Sequence, residues 1–310
     1  MSEGDEVFGR LQSAARSAAA KTGMGAPTQE YLIRHALESF LDRLTRTAHA
    51  DDFVTKGGIL LAAYGVRRPT RDVDANAVGA DVAAAHLISV VRDIAAVGVD
   101  DGVAFDLESI NVQEIREQAQ YPGFRVRVSV SIGPWKGTTA WDVSTGDAII
   151  PAPRQVRIDR VLGEPIRLLG YAPETTVAEK GVTILERGVT STRWRDYVDI
   201  VRLFRQGIDT DELLRSARAV ARHRSVTLEP IAAHVAGYEK IGQPKWAAWR
   251  RKERLEAVCE ADLGEQMALV ASYLDPVFRH GAIPRLLAHN AHPLPEALRK
   301  ERSRVAVQTG

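Results

Sequence analysis

Lys56-Gly57-Gly58-Ile59-Leu60-Leu61-Ala62-Ala63-Tyr64-Gly65-Val66-Arg67-Arg68-Pro69-Thr70-Arg71-Asp72-Val73-Asp74 is the stretch on which the reading of this chain turns. It runs from a glycine pair through a short apolar segment to two aspartates separated by one valine. Side chains alternate across a strand, so Asp72 and Asp74 share one face while Val73 points to the other and can anchor the strand in a core. Two carboxylates so placed suit a divalent cation, because Mg²⁺ takes one or two carboxylate oxygens together with substrate phosphates. Gly57 and Gly58 have no side chains, so backbone N–H groups there can approach phosphate oxygens closely. Either element alone is common in exposed turns and loops; it is their combination at this spacing that suits chemistry on a nucleoside triphosphate.

Working outward, a third carboxylate emerges from strict alternation. Phe124, Val126, Val128, Val130 and Ile132 interleave with Arg125, Arg127, Ser129 and Ser131, giving a strand with one apolar and one polar face. Gly133-Pro134-Trp135-Lys136-Gly137 supplies the turn. On the return strand Trp141 and Val143 face one way and Asp142 the other, so Asp142 joins the polar face of a sheet that can neighbour the Asp72–Asp74 strand. Asp147, in an expected turn after Gly146, is the competing carboxylate.

The surrounding pattern is mixed. Residues 28 to 46 have the spacing of an amphipathic helix, with Leu32, Ala36, Leu37, Phe40, Leu41 and Leu44 on its apolar face. Phe53 and Val54 lead as a short strand into the glycine pair; Ile59 to Tyr64 and Val82 to Val97 read as helices, Phe105 to Ile110 as a strand. Pro151 to Tyr171 reads as one or two strands and a connection. From Pro173 onward residues 174 to 188, 193 to 206, 210 to 223, 228 to 237, 244 to 258 and 262 to 279 all carry helical periodicity, and the last dozen residues read as a loose tail. The expectation is an α+β chain. Residues 1–172 form N-terminal helices and a mixed, twisted sheet flanked by helices, and residues 173–310 form a mostly α-helical domain.

Composition narrows the classes. The 310 residues are 45% hydrophobic and 26% charged, enough for two moderate cores, and the net charge of +1 leaves any nucleic-acid contact to a local patch. With a single cysteine, Cys259, neither an intramolecular disulfide nor a cysteine-based zinc cluster can form, which fits a reducing cytoplasm. No stretch approaches the roughly 18 apolar residues that span a bilayer, so neither export nor membrane insertion is expected. The eight histidines form no H-x-x-x-H pair and there is no G-x-x-x-x-G-K-[ST] loop, which excludes the usual zinc hydrolase and P-loop signatures.

A second constellation lies in the helical half. Glu179-Lys180 interrupts the apolar run from Val177 to Leu185, and Asp196 and Asp199, three residues apart, share one face of the next helix, where they could orient a lysine or contact a substrate. The plainer reading leaves all four on solvated faces, the aspartates paired with Arg193, Arg195 or Arg202. Further on stand Arg202, Arg205, Arg215, Arg218, Arg222 and Arg224, then Lys245-Trp246 and Trp249-Arg250-Arg251-Lys252 with Arg254. Arginines neutralise phosphates and an exposed tryptophan stacks on an unpaired base. Equally, Glu253, Glu256 and Glu260 balance that helix and both tryptophans belong to a core.

Lys56-Gly57-Gly58 followed by Arg68-Pro69-Thr70-Arg71-Asp72-Val73-Asp74 resembles the first signature of the polymerase-β-like nucleotidyltransferases, and within them the AbiEii/MenT group of toxins. Trp141-Asp142-Val143 is similar to that superfamily's third-carboxylate strand. Glu179-Lys180, Arg187-Gly188 and Arg195-Asp196-Tyr197-Val198-Asp199 resemble the group's later motifs, in order. The resemblance covers roughly residues 28 to 206. It implies an N-terminal nucleotidyltransferase domain and a cleft in which Asp72, Asp74, Asp142, Lys180 and Asp199 are catalytic. Asp72, Asp74 and Asp142 would hold Mg²⁺ or Mn²⁺, and Lys56, Gly57, Gly58, Thr70, Glu179 and Asp196 would bind the NTP substrate. It further implies a toxin restrained by a separate antitoxin protein, transferring NMP to the 3′ acceptor end of tRNA and so blocking translation. A protein or small-molecule acceptor, or a module that only binds a nucleotide, are the competing expectations. One departure is Gly58, where some members carry a serine that the antitoxin phosphorylates; this chain has no hydroxyl there.

Overall fold

The structure, a computed structural model, describes residues 2–22, 27–79, 82–115 and 123–281. The tail expected over the last dozen residues lies outside them. Two N-terminal helices, α1 (Glu3–Thr22) and α2 (Thr28–Leu44), precede strand β1 (Phe53–Lys56). The apolar run after the glycine pair is a four-residue helix, α3 (Gly57–Leu60), continued by a 3₁₀ turn over Leu61–Tyr64. Then come β2 (Asp72–Ala77), α4 (Ala84–Ala96), β3 (Val103–Ile115), β4 (Gly123–Ile132) and β5 (Trp135–Thr145). Strands β6 (Arg154–Ile158) and β7 (Ile166–Gly170) follow.

The seven strands form one mixed sheet in the order β3-β4-β5-β2-β1-β7-β6. Strand β2 runs parallel to β5 and antiparallel to β1, while β7 returns parallel to β1. The one or two strands expected over Pro151 to Tyr171 are β6 and β7, and they extend the sheet past β1. The β4–β5 turn is also tighter than expected: Ile132 pairs directly with Trp135 across Gly133-Pro134, with Gly133 at φ 54°, so Trp135 to Gly137 already belong to β5.

One face of the sheet is apolar and covered. Val73, Trp141, Val143, Val126 and Val128 pack against Leu37, Phe40 and Leu41 of α2 and Leu87, Val90, Val91 and Ile94 of α4. Trp141 is the hub of this layer, its ring 5.5 Å from Phe40 and 4.7 Å from Phe53. The alternation that buries Val73, Trp141 and Val143 turns Asp72, Asp74 and Asp142 to the opposite face, towards the helical half.

That half comprises α5 (Pro173–Arg187), α6 (Trp194–Phe204), α7 (Thr210–His223), α8 (Ile231–His234), α9 (Tyr238–Glu253) and α10 (Leu263–Gly281). The helix expected over 228 to 237 is a single turn, and the one expected from 244 begins at Tyr238, carrying Pro244 within it. A second apolar cluster unites Val177, Val182, Tyr197, Ile200, Leu213, Trp246, Leu274 and Phe278. Leu61 and Val66 join this cluster from the N-terminal half, tying the segment just before Asp72 to the helices.

Candidate active site

Strand pairing builds a charged row across the sheet. Asp74 on β2 is the register partner of Lys56 on β1 and of Asp142 on β5, and Asp142 is the partner of Arg125 on β4. Neighbouring strands lie about 4.8 Å apart, so two like-charged carboxylates stand side by side with a cation at each end. Asp72 lies one pleat repeat further along the same face, and its Oδ1 accepts a hydrogen bond from Thr70 Oγ1 at 3.2 Å.

These residues floor a cleft of about 830 Å³. Its other walls are Glu179 and Lys180 of α5, Arg193 and Asp196 at the start of α6, Arg224 after α7, and Trp249 of α9. Of the residues expected at the site, Lys56, Gly57, Gly58, Asp72, Asp74, Asp142, Glu179, Lys180 and Asp196 line the cleft. Thr70 and Asp199 stand behind the lining, one against Asp72 and the other against Lys180.

The glycine pair makes room for side chains. Gly57 has φ +69°, and a Cβ there would lie 1.9 Å from Asp74 Oδ2; a Cβ at Gly58 would lie 2.8 Å from Thr70 Oγ1. Only glycine permits that backbone conformation together with that close approach. Lys56 donates to Asp147 Oδ2 at 2.5 Å, lies 3.7 Å from Glu179, and sits 5.6 Å from the Tyr171 ring centroid. Asp147, the competing carboxylate, is thus a partner of Lys56 and of Ser144 Oγ at 2.7 Å.

On the helical wall the charges are closely matched. Lys180 Nζ reaches Asp196 at 2.5 Å and Asp199 at 2.9 Å. Arg193 Nε donates to Asp196 at 2.6 Å, and Arg68, from the loop before β2, spans both oxygens of Asp199 at 3.1 and 3.2 Å. Burial works against the Lys180 ammonium, but the charges of Asp196 and Asp199 outweigh it and its pKa stands above the ordinary lysine value. Burial also penalises the Asp196 carboxylate, yet Lys180 and Arg193 hold it below the usual range. Glu179-Lys180 and the Asp196–Asp199 pair are therefore not on solvated faces.

The floor is different. Among the described residues the Asp74 side chain makes neither a hydrogen bond nor an ion pair, although its backbone is paired on both sides. Burial first, then the charge of Asp72, pushes its carboxyl up to about 6, with Asp142 adding to the rise and Lys56 and Lys180 opposing it.

The sequence matches the family described as nucleotidyl transferase AbiEii toxin, type IV toxin-antitoxin system, over residues 39–261. The chain belongs to the AbiEii nucleotidyl transferase family. As an AbiEii protein it is a nucleotidyltransferase of the toxin-antitoxin class, and that class implies a separate antitoxin. Two solved structures from Helicobacter pylori align over most of the chain. JHP933 is 14% identical with a TM-score of 0.49, covering 91% of this chain and 98% of its own. A protein described as a candidate nucleotidyltransferase is 13% identical with a TM-score of 0.48, covering 83% and 97%. No curated protein matches the chain in sequence. Among the described residues no helix is long and apolar enough to cross a membrane.

AbiEii chemistry raises the question of a divalent metal. Among the described residues no group of three or more His, Cys, Asp or Glu side chains is set to hold one. The expected Asp72, Asp74 and Asp142 set is aligned by strand register, but both Asp142 oxygens are taken by Arg125, Nε to Oδ1 at 2.6 Å and Nη2 to Oδ2 at 2.5 Å. Asp72 and Asp74 do fit. A partly buried pair of repelling carboxylates, one of them with no side-chain partner among the described residues, is a donor set that a dication would relieve, and two carboxylates suffice for Mg²⁺ when phosphates complete the shell.

Arg68, Arg125 and Arg193 escaped the sequence reading as site residues. For Arg68 no local signal exists, since Asp199 lies 131 positions away. Arg125 was legible as a polar-face residue, and pairing β4 with β5 about the Gly133-Pro134 turn would have set it beside Asp142. The tryptophans divide: Trp246 is fully buried in the helical core, whereas Trp249 stacks on it at 5.2 Å and lines the cleft. Of the arginines, Arg224 faces the cleft, donating to Thr183 at 2.8 Å, while Arg202 donates to the Arg67 carbonyl and Arg215 pairs with Glu212.

Proposed function

We propose that this AbiEii chain, acting in the cytoplasm, transfers a nucleoside monophosphate from an NTP to the 3′ acceptor end of tRNA and so blocks translation, until a separate antitoxin restrains it. The observation that carries this reading is the Lys56–Asp74–Asp142–Arg125 row facing Lys180 across one cleft. A working division at residues 1–172 and 173–310 makes that cleft a seam between two units.

Bound Mg²⁺ or Mn²⁺ would neutralise the triphosphate and polarise its α-phosphate. Asp72 and Asp74 would hold the cation, with Thr70 steadying Asp72, and Asp142, with Arg125 displaced from it, would complete the set and accept the proton of the attacking hydroxyl. The hydroxyl oxygen bonds to the α-phosphorus, the bond from that phosphorus to the α,β-bridging oxygen breaks, and pyrophosphate leaves. Lys56 and the backbone at Gly57 and Gly58 position the triphosphate, with Glu179 and Asp147 holding Lys56. Lys180 offsets charge gathering on the departing pyrophosphate, and Asp196 and Asp199 fix its direction. Arg193, Arg224 and Trp249 on the cleft walls suit an RNA end, two cations for phosphates and one ring for an unpaired base.

The test is to incubate purified protein and Mg²⁺ with each labelled NTP in turn, first with total RNA and then with protein extract. Label on tRNA-sized RNA is expected. Label confined to protein overturns the tRNA acceptor, and label on no acceptor contradicts the transfer reaction itself.

A further inference from the structure

Arg125, the register partner of Asp142 on the neighbouring strand, holds it by both oxygens. It projects from the polar face of β4 into the cleft and its side chain is 32% exposed. Among the described residues Arg127, two residues along on the same face, makes a 3.4 Å contact with Gln113 and no ion pair, so the strand does not oblige its arginines to find carboxylates. Asp74, directly beside Asp142 in the register, has no such clasp. The sheet thus holds two adjacent carboxylates in opposite states, one open and one closed by a guanidinium. A guanidinium on both oxygens of a carboxylate takes up part of its lone-pair capacity and sets a unit positive charge against any dication that approaches it. The guanidinium fork that grips a carboxylate grips a phosphate equally well, in a way a lysine ammonium does not.

The geometry points to Arg125 as a positioning residue that withholds Asp142 from the cation seat until a triphosphate in the cleft draws the guanidinium onto its own oxygens. This rests on the reading of Asp72, Asp74 and Asp142 as that seat. Without nucleotide the seat has two working carboxylates and binds cations weakly; with nucleotide it has three. Arg125 thereby couples the arrival of the triphosphate to completion of the carboxylate set.

Mn²⁺ binding to the full chain, followed by electron paramagnetic resonance with and without a non-hydrolysable α,β-methylene NTP, tests this. Arg125→Ala should bind Mn²⁺ about tenfold more tightly than the wild type without nucleotide, because affinity for a hard cation rises with the number of charged carboxylates free to bind it. It should also bind the analogue about tenfold more weakly, for loss of a phosphate fork. Arg125→Lys, which keeps the charge without the fork, should fall between, and thermal melts check that each variant folds. Removing a nearby positive charge could tighten Mn²⁺ binding without any release of Asp142, so both variants are repeated with Asp142→Asn. The gain should vanish there; the same gain in that background overturns the proposal, as does Mn²⁺ affinity unchanged by Arg125→Ala. If no variant binds Mn²⁺ even with the analogue, the cation seat is wrong and the proposal falls with it.

Discussion

The two sides of the cleft handle charge in opposite ways. On the helical wall Lys180, Asp196, Asp199, Arg68 and Arg193 form a nearly closed set of ion pairs, each buried carboxylate held by two cations. On the sheet floor the Asp74 side chain has no hydrogen-bond or ion-pair partner among the described residues, and burial, then the charge of Asp72, pushes its carboxyl up to about 6. A saturated network positions its members; an unsaturated one is open to an added cation. On the function proposed above, position and cation binding would thus be divided between the two halves; Arg68 ties these halves together by reaching from the loop before β2 to Asp199.

The contrast breaks most sharply at Asp74. Asp74→Asn should cut NMP transfer by roughly a thousandfold, equivalent to about 4 kcal/mol of transition-state stabilisation, without lowering the melting temperature of the metal-free protein. On the wall stability should fall along with transfer. Lys180→Met leaves two buried carboxylates short of a cation and should cost about 3 kcal/mol of unfolding free energy in denaturant titration. That is the low end for a broken buried pair, because Arg193 and Arg68 remain.

A pH series sharpens the comparison further. The fold raises the Asp74 carboxyl from 3.8 to about 6, so the folded state holds its proton more tightly than the unfolded chain does. Its contribution therefore favours the fold fully below about pH 4 and is lost as the pH rises through 6, a fall of about 3 kcal/mol. Metal-free wild type should show this fall relative to Asp74→Asn in chemical denaturation. Equal pH dependence of the two proteins would mean that Asp74 is not crowded as described. The smallest effect is expected at Gly57. Gly57→Ala should lose about 1–2 kcal/mol from the left-handed backbone alone and, by displacing Asp74, much of the activity. Gly79→Ala, at φ +76° with open space around it, should show the backbone cost without the loss of transfer.

How much of this was legible in the sequence follows from the range of the forces involved. Alternation is local, so β2, β4, β5 and the shared face of Asp72, Asp74 and Asp142 could be read from residue order, and the helices of the second half from their period. Pairing is not local. Nothing near Arg68 announces Asp199, and nothing near Lys56 announces Asp147. The segment from Pro151 to Tyr171 reads as one or two strands and a connection, and β6 pairs locally with β7, but what places this hairpin in the sheet is the return of β7 to β1, a partner more than 100 residues earlier. Trp246 and Trp249 look alike in sequence and differ only in which side of α9 meets the core. The aligned position of the carboxylates came from short-range pattern; the unequal treatment of Asp74 and Asp142 came from Arg125, which only the folded sheet sets in place.

The central claim is that the floor of this cleft is a cation seat centred on Asp74, and Mn²⁺ titration of wild type against Asp74→Asn in the presence of a non-hydrolysable NTP tests it most directly. The account predicts saturable Mn²⁺ binding by the wild type, with protons released near pH 6, and loss of that binding in Asp74→Asn while the melting temperature is kept. Mn²⁺ bound equally well by both proteins would contradict it.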